Sequence, residues 1–207
     1  MFLVFGGGMS IATLDNTTKI VDKVIPYARK LFIKYGYRKT TVDDIASGLH
    51  ISKKTLYAVF PSKEEILKET IWRETLQVLH TFNDTIPAGC PTDRMMLSFC
   101  RFIFTDRIKK GKNGLFWALY VDDPDIVEAA VEALKRVFSA IYEDGSHKGH
   151  FKPIEPYFAA LTIVSMILAS VNSFHLSQKP IRVFNDTLLM IADAVAYRNR
   201  IVFDTMV

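Results

Sequence analysis

Six consecutive residues, Ser52-Lys53-Lys54-Thr55-Leu56-Tyr57, bring three hydroxyls and two ammonium groups together. A helix turns about 100° per residue. Leu56, Val59 and Phe60 then fall on one side and Lys54, Tyr57 and Ala58 on the other, with Lys53 and Thr55 at the flanks. The apolar side can dock on a scaffold while the polar side stays free, as a helix laid in the major groove of a duplex requires. Lys53 and Lys54 also stand in the first turn, where the helix dipole disfavours cations. A phosphate or a guanine edge would neutralise them; a solvated helix end is the plainer alternative.

Other chemistry is poorly represented. The chain has no glycine-rich phosphate loop, no GxSxG and no paired-carboxylate motif, so neither catalysis nor a cofactor is expected. His147 and His150 lie in a glycine-flanked stretch without a third ligand, so no metal is expected. His80 and His175 read as surface or pocket-edge residues. Cys90 and Cys100 have neither CxxC nor metal spacing and fit a reducing cytosol.

The elements that would position the 52–57 stretch are helical. Val21, Val24, Ile25, Ala28, Leu31, Phe32 and Tyr35 form one stripe, stopped by Gly36. Pro26 within it should kink the helix or delay its start. Thr41-Val42-Asp43-Asp44 is a capping-box pattern before the two-turn apolar face of Val42, Ile45, Ala46 and Leu49. His50-Ile51 breaks that face, Ser52 caps a third helix to about Phe60, and Ser62-Lys63-Glu64-Glu65 is a second capping box opening a fourth toward His80. Two short helices joined by a tight turn after a longer one form a helix-turn-helix. Beyond Pro87 the breakers divide five more helices: 92–109, 114–121, 125–143, 155–177 and 181–200. The segment Asp144 to Pro153 reads as a mobile loop. The fold class is all-α, with about nine helices: a three-helix head at 19–68, a helical domain at 69–207, and a disordered extension at 1–18.

Charge follows this division. The net charge is +4 over 207 residues; residues 1–72 hold 11 basic and 7 acidic side chains, and the remainder balances at 15 and 15. A basic module that meets a polyanion, joined to a neutral one, is the reading; an ordinary solvated surface is the alternative. Hydrophobic residues make up 49% of the chain, with mean hydropathy +0.14, which suits an oligomer interface or an internal ligand cavity. The longest apolar run, Phe158 to Val171, is too short for a bilayer span, so no membrane partner is expected. Met1 to Phe5 lack the charged flank of a signal peptide, and Met9 is a second candidate start.

The run Tyr35-Gly36-Tyr37-Arg38-Lys39-Thr40-Thr41-Val42-Asp43-Asp44-Ile45-Ala46, continued by Ile51-Ser52-Lys53-Lys54-Thr55-Leu56-Tyr57-Ala58-Val59-Phe60 and Ser62-Lys63-Glu64-Glu65-Ile66-Leu67, resembles the TetR (tetracycline-repressor) family over about residues 20–70. The resemblance implies a cytoplasmic, ligand-responsive transcription regulator. Thr41 and Tyr57 would then contact the DNA backbone and Lys63 a phosphate, while Ser52, Lys53, Lys54 and Thr55 approach base edges or flanking phosphates. His50 stands where the family usually has glycine in the turn. A left-handed backbone costs more there, although histidine tolerates it better than most residues.

The same resemblance implies an effector pocket in the central helices, and Phe99, Phe102, Ile103, Phe116, Trp117, Tyr120, Phe138, Tyr142 and Met166 are its candidates. Such a stripe reads more often as plain core than as a ligand wall. As a wall it would suit an apolar or aromatic small molecule. The last two helices resemble the family's dimerisation pair, with Ala159, Thr162, Met166, Ala169, Ser170 and Ser173 on one and Phe184, Leu188, Ile191, Ala192 and Val195 on the other. A homodimer also follows from DNA reading, since one short helix reads few base pairs and two-fold symmetry implies a palindromic operator in double-stranded DNA. The expected function is a repressor released by its effector. The alternative is a constitutive DNA-binding dimer. The sequence leaves repression and activation undecided.

Overall fold

Helix α1 spans Ile11–Tyr35, and its apolar stripe is spent on the interior: Val24, Ala28 and Phe32 are fully buried. A computed structural model describes the backbone of residues 11–110, 123–172 and 180–195, and the side chains of 17–105, 123–170 and 182–195. Residues 11–18, expected to be a disordered extension, belong to α1 instead, because Ile11 to Lys19 contain neither glycine nor proline to stop a helix; residues 1–10 lie outside the described ones. The helix also runs across Pro26 without a delayed start. Gly36 ends it with φ +87, a left-handed turn that glycine adopts freely.

Two short helices follow, α2 (Val42–Gly48) and α3 (Lys53–Val59). The Thr41 capping box forms in both directions: the Thr41 hydroxyl accepts from the Asp44 N–H, and the Asp44 carboxylate accepts from the Thr41 N–H. In the connecting turn His50 takes φ 54, so the left-handed conformation is kept without glycine. Ser52 then caps α3 through the Thr55 N–H.

Helix α4 (Lys63–Asn83) starts at Ser62, which accepts from the Glu65 N–H. The reciprocal half of that expected box is replaced, since the Glu65 carboxylate reaches Lys68. Ion pairs fasten α4 to α1: Asp22–Arg73 at 2.7 Å, and Arg29–Glu74.

The C-terminal part consists of α5 (Thr92–Lys110), α6 (Pro124–His147), α7 (Pro156–Asn172) and α8 (Pro180–Val195). Helix α6 packs on α4, α5 and most extensively on α7, with α8 against α5 and α7. Among the described residues there are eight helices and no strand, so the fold is all-α. The helix expected at 114–121 lies outside the described residues, as do the expected helix ends at 173–177 and 196–200.

A further expectation is overturned. The segment expected to be a mobile loop from Asp144 to Pro153 is largely structured, and α6 continues through Gly145 to His147. Gly145 is a point of close approach, because the Phe151 ring fills the space a β-carbon would occupy. Phe151 is 2% exposed and stacks on Tyr142 with ring centroids 4.8 Å apart. The Tyr142 hydroxyl donates to the Lys152 carbonyl, and the Lys152 N–H donates to Val195 of α8. A buried aromatic and these backbone bonds hold the turn in place.

Candidate nucleic-acid interface

Leu56 is fully buried and Phe60 nearly so, which seats α3 on the head's core. That leaves Ser52, Lys53, Lys54, Tyr57 and Ala58 exposed on the outer surface, with Thr55 half-buried at the flank. Tyr57 is 49% exposed, a large aromatic held outward on a seven-residue helix. Lys54 extends into solvent. Lys53, also exposed, turns its ammonium to within 2.6 Å of the Asp43 carboxylate of α2. The hydrogen bond to Asp43 is also the main cause of the raised Lys53 pKa. The unfavourable cation at the start of α3 thus has a neighbour across the turn, and DNA would have to exchange with Asp43 to engage it.

Thr41 stands exposed at the start of α2, and its hydroxyl donates to Asp44 Oδ2 at 2.7 Å. Hydrogen bonds from the Thr41 hydroxyl and N–H hold the Asp44 carboxyl below its usual pKa. A phosphate accepts but cannot donate, so a Thr41–phosphate bond requires the hydroxyl proton to leave Asp44.

Lys63 is engaged in a way its sequence position does not reveal. Its ammonium donates to the carbonyls of Tyr37 at 2.9 Å and Thr40 at 3.0 Å, and lies 4.1 Å from the Tyr37 ring centroid. Two of its three donors are thereby committed to the turn that sets the start of α2. Lys63 is therefore a brace, with one donor left for a phosphate. Lysine near the start of a helix gives no signal for this, because the carbonyls it meets lie 23 and 26 residues away.

The head meets the C-terminal part at Arg38, whose guanidinium lies 3.3 Å from Asp125 in the first turn of α6. Burial, then Asp125, Glu64 and Asp123, push the neighbouring Tyr37 hydroxyl pKa upward.

Of the expected effector wall, Phe99, Ile103, Phe138 and Tyr142 are buried, and Phe102 and Met166 are half-buried. Phe116, Trp117 and Tyr120 lie outside the described residues. Phe82 at the end of α4 touches Phe99 (5.0 Å between centroids) and Phe102 (5.6 Å), and Phe99 touches Phe138 (5.5 Å). Tyr142 departs from this cluster to clamp the 148–152 turn.

The expected dimer faces need correction. Ala159, Ser170, Phe184, Leu188, Ile191, Ala192 and Val195 are buried in their own subunit, with Phe184 stacked on Phe104. Thr162 and Met166 are half-buried, Ala169 is exposed, and Ser173 lies outside the described residues. A helix turns its most apolar face to its own core first. Among the described residues, the large apolar side chains left outward on these helices are Tyr157, Phe158 and Leu161 on α7 and Leu189 and Met190 on α8.

A three-helix head with a seated, solvent-facing α3, carried on an all-helical C-terminal part, defines a helix-turn-helix DNA-binding protein. Residues 25–70 match the family model for bacterial regulatory proteins of the tetR family. The uncharacterised HTH-type transcriptional regulator YhgD of Bacillus subtilis is 22% identical over 165 residues, 76% of this chain and 85% of YhgD. The biofilm-operon negative transcriptional regulator IcaR of Staphylococcus aureus (strain Newman) is 44% identical over 50 residues, 24% of this chain and 27% of IcaR. The crystal structure of RolR with resorcinol shares the fold, with a TM-score of 0.62 at 14% identity over 86% of this chain and 89% of that one. The family match covers the head, residues 25–70, and together with the regulator relatives it supports a DNA-binding transcriptional regulator with a tetR-type head.

Proposed function

We propose that this protein is a cytoplasmic homodimeric repressor that leaves a palindromic operator when a small apolar or aromatic molecule enters its C-terminal part. The observation that carries the reading is α4. At about 1.5 Å per residue, its 21 residues span about 30 Å. Its first residue, Lys63, braces the DNA-reading head, and Phe82 in its last turn sits in the aromatic cluster. Whatever shifts Phe82 acts on a helix that ends at the head. Arg38–Asp125 gives a second connection from the head to α6. IcaR, similar over the head, is a negative regulator, and RolR, of the same fold, binds the aromatic resorcinol.

In this reading Thr41, Tyr57 and the remaining donor of Lys63 meet phosphates, while Ser52, Lys53, Lys54 and Thr55 read or flank the bases. The two subunits join through the outward faces of α7 and α8, with Phe158, Leu161 and Ala169 on one and Leu189 and Met190 on the other. Burying these residues against a second copy removes Phe158, Leu161, Leu189 and Met190 from water. Among the described residues no helix is long and apolar enough to cross a membrane.

The complete burial of Phe99, Ile103, Phe138 and Tyr142 favours a second reading, a constitutive DNA-binding dimer whose aromatics are core. Linkage separates the two. A gating ligand binds with different affinity in the presence of saturating operator, by about 1–3 kcal/mol of coupling. A compound whose affinity is the same with and without operator supports the constitutive reading.

A further inference from the structure

We infer that the first turns of α1 form a second DNA-contacting element, in which Lys19 and Lys23 hold backbone phosphates beside the recognition helix α3. Both residues lie outside the family-matched segment, which starts at residue 25. Lys19 and Lys23 stand one helical turn apart and are exposed on the same edge of α1. Between them Ile20 packs half-buried against the core, as do Leu49 and Ile51 of the α2–α3 turn. Lys19, Ile20, Lys23, Leu49, Ile51 and Thr55 line one shallow groove, so this edge of α1 borders the start of α3.

That neighbour decides what the groove faces. Ile51 leads directly into Ser52, the cap of α3, and Thr55 is the residue whose N–H the Ser52 hydroxyl accepts. The N-terminal residues of a recognition helix are those that approach base edges. A cation lodged beside them lies against the sugar–phosphate wall of the groove being read. The lysine stems can lie along the apolar floor of Ile20, Leu49 and Ile51 with their charged ends at its exposed rim. Phosphate carries the complementary charge, and its contacts fix position without selecting sequence. The DNA footprint of each head therefore extends past the helix-turn-helix onto α1. The inference rests on the head's DNA binding and adds contacts to it.

The test needs no operator, because the phosphate contribution is independent of sequence. Affinity for a labelled duplex of arbitrary sequence is measured against salt for the wild type, Lys19→Gln/Lys23→Gln, Lys19→Arg/Lys23→Arg, and Arg94→Gln as a control in the C-terminal part. Each lost phosphate contact lowers the slope of log affinity against log salt by about 0.9. The glutamine pair should lower it by about 1.8 per head. The ratio of wild-type to variant affinity then shrinks about twelvefold per head between about 50 and about 200 mM salt. The arginine pair and Arg94→Gln should keep the wild-type slope. Unchanged melting temperatures verify folding. A glutamine pair with the wild-type slope overturns the inference, as does an Arg94→Gln that lowers the slope equally. A wild type with no salt-dependent binding would refute the head's DNA binding itself.

Discussion

Replacing Lys63 with alanine removes the bonds its ammonium makes to the Tyr37 and Thr40 carbonyls and its contact with the Tyr37 ring. Hydrogen bonds from a charged donor contribute about 1.5–3 kcal/mol each when well buried. Here both are only part-buried, so about 2 kcal/mol for the ensemble is a reasonable expectation. For a chain of this size that lowers the melting temperature by about 4–8 °C. Lys63→Met, which keeps the stem and loses the ammonium, should cost nearly as much. Binding should weaken by a similar factor on every duplex, and the salt slope should fall by no more than about one unit per head. Thermal unfolding followed by circular dichroism, with salt-dependent binding on the same samples, checks both. If Lys63→Ala melts with the wild type yet loses a full unit of slope, the ammonium serves DNA alone and the brace is wrong.

Gly145→Ala places a methyl where the buried Phe151 ring lies. Overpacking of about 1–3 kcal/mol outweighs about 1 kcal/mol of helix propensity, so calorimetry should show a lower melting temperature. Asp44 has a folded pKa below its ordinary 3.8, so the stability of its cap is present above that value and lost as pH falls through the depressed one. Carboxyl-carbon NMR should find Asp44 titrating low in the wild type and nearer its ordinary value in Thr41→Val. Ala169→Arg adds a cation to the outward face of α7 and should yield monomers by sedimentation at low micromolar concentration, and a variant that stays dimeric would place the interface elsewhere.

The head was legible because its determinants are local. Thr41 with Asp44 and Ser52 with Thr55 are contacts three residues apart, and a turn between two short apolar faces implies a special backbone wherever His50 falls. The C-terminal part turns on distant partners. Gly145 resembles a breaker until Phe151 is known to press on it. The periodicity of α8 reveals an apolar face in Phe184, Leu188 and Ile191 but not whether it meets its own core or a second subunit. Lys63 shows the same limit, since a long flexible cation can serve carbonyls or phosphates and only the fold decides which are near.

Selection of binding sites from a random duplex pool tests the central claim most directly, with wild type and Lys54→Ala run in parallel. The account predicts enriched sites with two-fold symmetry, their half-sites separated by one helical turn or a multiple of it. It also predicts that Lys54→Ala changes the preferred base at one symmetric pair of positions, by about 1–3 kcal/mol per base. No enrichment, or the same sites selected by Lys54→Ala with uniformly lower affinity, would contradict the assignment of α3 as the reading helix.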